Sequence, residues 1–172
     1  MSIEIFYNKN FDEFSLDLSL EMRSKKYISK NFPIAYVISA LAPVYLVGGS
    51  IRDLIYAKKP KDLDFVVLGK NHLDWVLEVF EKYNIDYKFN RLGGYKFLYR
   101  DVEIDLWLSN DLFSSIQYNV DGIFFELQTN RLISFTFEDF MKNNLRVVNR
   151  ENNIENGRKE KLIKFSESYF NK

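Results

Sequence analysis

Two aspartates one residue apart, Asp62 and Asp64 in the string KDLDF, are the most chemically pointed feature of the sequence. On a strand, successive side chains leave opposite faces, so an i, i+2 pair leaves the same face and can reach a common ion. Two carboxylates that close repel. A hard divalent cation with oxygen ligands, Mg²⁺ or Mn²⁺, resolves the repulsion and keeps places open for phosphate oxygens. The plainer reading is a turn aspartate after Pro60 and a second aspartate paired with a surface lysine. Further along, VEIDLWL sets Glu103, Asp105 and Trp107 on one face of a strand and Val102, Ile104, Leu106 and Leu108 on the other. If that strand lies beside the first, Asp105 or Glu103 completes a three-carboxylate site for two metals about 4 Å apart. Otherwise the acids line a solvated sheet face.

Upstream, VYLVGGSIRD supplies groups of opposite character. Gly48 and Gly49 follow an apolar run, where missing side chains let the backbone approach a ligand closely and the next helix presents free amides and a positive dipole end. Ser50 adds a hydroxyl and Arg52 a fixed positive charge, the donors a triphosphate needs. A Gly-Gly-Ser turn alone is more often an ordinary tight connection. His72, the only histidine, reads as a surface or capping residue rather than a base. Tyr95, Lys96 and Arg100 lie on hairpins from which they can approach a nucleotide, a commonplace position for such residues.

These groups need elements to hold them. Val44 to Val47 is a short apolar strand, and Ser50 with Asp53 forms an S-x-x-D capping box that starts a helix running to about Ala57. Leu63 to Leu68 is a second strand. Asn71 caps a helix in which Leu73, Val76, Leu77 and Phe80 form one apolar stripe. Tyr87 to Asn90, Tyr95 to Tyr99 and Val102 to Leu108 then read as strands joined by tight turns, through Gly93-Gly94 and Arg100-Asp101. Phe32 to Leu41 reads as an apolar helix ended before Pro43, and Met22 to Lys30 as an exposed helix or linker. Ile123 to Leu127 is a further candidate strand. Phe137 to Asn143 and the stretch marked by Leu162, Phe165 and Tyr169 read as helices of a C-terminal extension over about residues 137–170.

With 172 residues, 47% hydrophobic and 28% charged, the chain is expected to fold as a single domain and not to be disordered. Equal numbers of basic and acidic residues, 24 each, exclude a global field for nucleic acid. The segment Lys142 to Lys172 nevertheless holds eight Lys or Arg against four Asp or Glu, which suits either an RNA contact or a solvated helix face. Absence of cysteine removes disulfides, thiolate ligands and a cysteine nucleophile. The acidic N-terminus and the lack of any run of about 18 apolar residues predict a cytoplasmic protein without a membrane partner.

As a combination, GGSIRD followed by KPKDLDF resembles the head domain of the class II tRNA nucleotidyltransferase and bacterial poly(A) polymerase family, within the DNA polymerase beta-like superfamily. The similarity covers about Val44 to Leu108. It implies an α+β fold with a nucleotidyltransferase-type mixed sheet of about five strands flanked by helices. It also implies a two-metal, Mg²⁺-dependent transfer of a nucleoside monophosphate from an NTP to an acceptor hydroxyl. Carried onto this chain, Gly48, Gly49 and Ser50 bind the triphosphate, Arg52 supports phosphate or sugar binding, and Asp53 orders the turn. Asp62 and Asp64 hold the metals, with Asp105, or Glu103 in its place, as the third ligand. Ala57 stands where the family has glycine, and SNDLFSS follows the third carboxylate where the family has an arginine-rich motif. An RNA 3′ end is one expected acceptor and a small molecule or protein hydroxyl another; a nucleotide-binding module without activity is the reading from a different class. The family's RNA-holding domains would lie beyond Lys172, so a partner protein that supplies them is an expected partner.

Overall fold

The computed structural model describes residues 19–55, 58–69, 74–90, 93–112 and 122–134. The chain opens with α1, Leu20–Asn31, capped by the Ser19 hydroxyl, which accepts from Met22 N. Its lysines point outward while Leu20, Arg23, Ser24, Tyr27 and Ile28 are buried. The expectation of an exposed helix or linker here is therefore corrected: a charged composition hid a buried stripe at helical spacing. The helix expected over Phe32 to Leu41 is shorter, α2 at Ile34–Ser39. Phe32 ends α1 in extended geometry, φ −149° and ψ 68°, as a residue before proline must. From that corner its ring packs against Phe65, Phe97 and Tyr99, with centroids 5.7, 5.5 and 5.2 Å away.

Strand β1, Val44–Val47, runs directly into α3, Gly48–Ile55, and β2, Asp62–Leu68, follows. After α4, Asp74–Lys82, come β3, Tyr87–Phe89, β4, Tyr95–Tyr99, and β5, Val102–Ser109. Two further strands, β6 at Ile123–Glu126 and β7 at Arg131–Ser134, complete one sheet in the order β3-β4-β5-β2-β1-β6-β7. Among the described residues the sheet has seven strands, where about five were expected. The last, RLIS, is four residues long, and its mixed pattern shows no alternation clear enough to read from sequence. All pairings are antiparallel except β2 with β5.

The sheet has two unlike faces. Leu46, Leu63, Phe65, Val67, Ile104, Leu106 and Phe125 join the main core with Ile28, Ile38, Leu54, Val76 and Phe80 from the helices. On the other side lies a small cluster of Tyr45, Val47, Val66, Leu112 and Phe124, with Trp107 and Leu68 against it. The carboxylates share this second face, because they occupy the alternate positions of β2 and β5. Asn71, His72, Leu73, Ala57 and the C-terminal extension over about 137–170 lie outside the described residues. Among the described residues no helix is long and apolar enough to cross a membrane.

Candidate active site

Alternation on β2 sends Leu63, Phe65 and Val67 into the core and leaves Asp62 and Asp64 half-buried on the opposite face. The same alternation on β5 buries Ile104 and Leu106 and leaves Glu103 and Asp105 beside them. Parallel pairing then sets Asp62 opposite Glu103 and Asp64 opposite Asp105. Four carboxylates thus sit two by two on neighbouring strands, which lie about 4.8 Å apart, and like charges so placed are destabilising. Part of the repulsion is offset from β4. Lys96, paired in register with Asp105, places Nζ 2.5 Å from Glu103 Oε1 and 3.5 Å from Asp105 Oδ2. The Glu103 carboxylate first, and Asp105 after it, hold the ammonium above the usual lysine range despite some desolvation. The sequence shows Lys96 only as a hairpin lysine; its role as counter-ion emerges from the register.

The glycine turn meets these carboxylates from the other side. Because β1 runs antiparallel to β2 with Val47 opposite Asp64, the chain leaves β1 at Gly48 next to that aspartate. Gly48 has φ +69°, which favours glycine, and a Cβ there would stand 3.1 Å from Asp64 Oδ2. Helix α3 begins at this residue, so its first amides open beside Asp64. Ser50 is not the N-cap that the capping box predicts. The helix starts two residues earlier, and the fully buried Ser50 hydroxyl donates to Val47 O at 2.8 Å, which ties the turn to the strand. Arg52 is buried and points back along the turn, with Nη2 3.5 Å from the position of a Cβ on Gly49. Asp53, next along, is pushed up to about 6, chiefly by burial; Arg52 and Lys58 pull the other way, and Asp62 adds to the rise. Asp53 and Asp62 thus share one electrostatic neighbourhood.

A parallel β2–β5 pair bearing acids opposite a strand–Gly-Gly–helix turn is a specific arrangement, and the sequence around it matches a known family. Residues 44–106 match the Poly A polymerase head domain. The resemblance read in GGSIRD and KPKDLDF is borne out for that segment, which holds the turn, both aspartates of β2 and the acids of β5. Solved structures extend the likeness to the fold. A CCA-adding enzyme of Thermotoga maritima in complex with tRNA aligns with 67% of this chain at 21% identity and a TM-score of 0.54. A CCA-adding enzyme in complex with CTP aligns with 73% at 20% identity and a TM-score of 0.56. A tRNA nucleotidyltransferase with a primer tRNA and an incoming ATP analogue gives 67%, 17% and 0.56. The fold is that of nucleotidyltransferase head domains, α+β as expected. The chain spans only 30%, 35% and 39% of those three proteins. No curated protein matches the sequence significantly.

The structure therefore brings Gly48, Gly49, Arg52, Asp62, Asp64, Asp105 and Glu103 into one region, with Ser50 beneath the turn. Among the described residues, no three acidic or histidine side chains converge on one metal position. Asp62 and Asp64 nevertheless suit a hard divalent cation: both are oxygen donors on one strand face, and Gly48 leaves space at Asp64 Oδ2 that any side chain would fill. Glu103 and Asp105 are drawn toward Lys96.

Proposed function

We propose that this chain is the catalytic head of a nucleotidyltransferase that moves a nucleoside monophosphate from an NTP to an acceptor hydroxyl, with an RNA 3′ end as the favoured acceptor. One observation carries the reading: parallel pairing sets Asp64 opposite Asp105 while the Gly48 turn, at the start of α3, abuts Asp64. In the reaction, backbone amides at the start of α3 bind the triphosphate and Arg52 neutralises part of its charge. Gly48 and Gly49 let phosphate approach the backbone without obstruction. Asp62 and Asp64 would hold Mg²⁺ or Mn²⁺, and Asp105 would serve as the third ligand. When bound, the metal lowers the pKa of the acceptor hydroxyl and neutralises the leaving pyrophosphate. No side-chain nucleophile is required, since catalysis of this transfer is positioning and electrostatics.

The RNA acceptor is supported by the similar structures, two of which contain tRNA. Transfer to a small molecule or protein is the second reading, supported by the even charge of the chain. A partner protein that supplies RNA-holding surface, and a cytoplasmic location, belong to the first. The deciding experiment incubates the chain with each α-labelled NTP, Mg²⁺ or Mn²⁺, and separate pools of RNA, protein and metabolites. Label in RNA that depends on Asp64 supports the proposal, label in another pool moves the acceptor, and nucleotide binding with no transfer in any pool leaves a binding module.

A further inference from the structure

The connection from β3 to β4 is built around Asn90. Its backbone N–H donates to Gly94 O at 2.8 Å, and its carbonyl accepts from Gly93 N–H at 3.2 Å. Its side-chain Oδ1 accepts from Gly94 N–H at 2.8 Å. The amide nitrogen Nδ2 points elsewhere, donating to Asp105 Oδ1 at 3.3 Å. Gly94 seats the turn on β5: a Cβ there would stand 2.7 Å from Trp107 Cβ and 2.9 Å from Trp107 Cα. No other residue lets the turn come down on the strand just after Asp105. The two oxygens of Asp105 thus have different neighbours, Asn90 on Oδ1 and the more distant Lys96 on Oδ2, while Glu103 is taken closely by Lys96.

We infer that Asn90 is a positioning residue that fixes the orientation of the Asp105 carboxylate, on the strand position that pairs with Asp64, with Gly94 setting how closely the turn approaches β5. Its catalytic consequence rests on the nucleotidyltransferase reading. The donor acts on a carboxylate that is a candidate ligand, and outer partners of this kind set ligand orientation and typically change metal affinity or activity by about 10- to 100-fold when removed.

The test is calorimetric titration of the full chain with Mn²⁺, run beside transfer kinetics with α-labelled ATP, on the unaltered protein, Asn90→Ala, Asp105→Asn and the double variant. Asn90→Ala is expected to weaken Mn²⁺ binding and lower kcat, each by about 10-fold or more, with KM for ATP nearly unchanged. In the Asp105→Asn background the same change is expected to add nothing, because Asn90 acts through that carboxylate. Should Asn90→Ala not fold, Asn90→Ser keeps a short acceptor for the turn but cannot span to Asp105, and the same losses are expected. A folded variant with Mn²⁺ affinity and kcat like the unaltered protein overturns the inference, as does an equal loss in the Asp105→Asn background. If the unaltered chain binds no Mn²⁺ and transfers no label, the nucleotidyltransferase reading falls and this inference with it; an active parent with indifferent variants removes the inference alone.

Discussion

At the scale of single residues, Asp62 and Asp64 and their neighbour Asp53 are expected to behave differently although all three are carboxylates in one neighbourhood. Asp62 and Asp64 stand opposite other acids on the neighbouring strand, where like charges repel. Asp64→Asn, and equally Asp62→Asn, should lower transfer by about a thousandfold or more, the several kcal/mol that metal stabilisation of the transition state would supply, while the melting temperature of Asp62→Asn holds or rises. A single-turnover assay beside a thermal melt checks both parts. Asp53 is set apart by burial, which raises it from 3.8 to about 6. The folded protein then binds this proton more tightly than the unfolded chain. The resulting stabilisation is fully present below pH 3.8 and is lost as pH rises through about 6. Asp53→Asn removes that loss, so its stability relative to the unaltered protein should improve from about pH 4 to about pH 7, as urea midpoints at the two values will show.

At the scale of elements, three joints set the site. The β1–α3 joint needs a left-handed residue at Gly48, where a Cβ would press on Asp64 Oδ2 at 3.1 Å and push that carboxylate aside. Gly48→Ala should cost about 1–2 kcal/mol from backbone geometry and weaken NTP binding as well, measurable by denaturation and by nucleotide titration. The α1–α2 corner is held by Phe32, whose ring meets β2 and β4 under the site. Phe32→Ala should cost about 3–5 kcal/mol by chemical denaturation. The β4–β5 hairpin turns through Arg100 and Asp101 at φ 48° and 67°, the two-residue geometry that matches strand twist but strains residues other than Gly and Asn. Asp101→Gly should relieve about 1 kcal/mol, raise the melting temperature and leave transfer unaltered.

At the scale of the whole molecule, apolar residues of α1, α2, α3 and α4 all join the core on one side of the sheet, opposite the face that carries the carboxylates. On that face Lys88 stands opposite Lys96 on the adjoining strand, extending the row that begins with Asp64 and Asp105. If the proposed RNA acceptor crosses this face, Lys88 would meet its phosphates, and Lys96 would do so on exchanging its carboxylate partners for phosphate. With two such contacts, binding of a short single-stranded RNA should weaken with salt at a slope of about −1.4 in log K against log salt. Fluorescence anisotropy across salt concentrations measures it. A slope several times steeper would put the eight basic residues of Lys142 to Lys172 on the RNA as well.

Much of the site was legible before any fold was known, and the limits of that reading have a physical cause. Strand periodicity makes Asp62 and Asp64 share a face wherever the strand goes, and the same local rule separates Glu103 and Asp105 from Ile104 and Leu106. A glycine pair between strand and helix implies an open backbone by itself. The buried stripe of α1 was missed because lysines dominate its composition, and β7 because four residues carry too little pattern. Tertiary structure alone decided that β5 lies parallel to β2 in the register that sets Asp105 opposite Asp64. It alone decided that Ser50 secures the turn from beneath, and that Asn90 and Lys96 reach the acids of β5. Those facts depend on strand pairing between segments far apart along the chain. A shift of one residue in that pairing would send every one of these side chains to the opposite face, and no local preference specifies it.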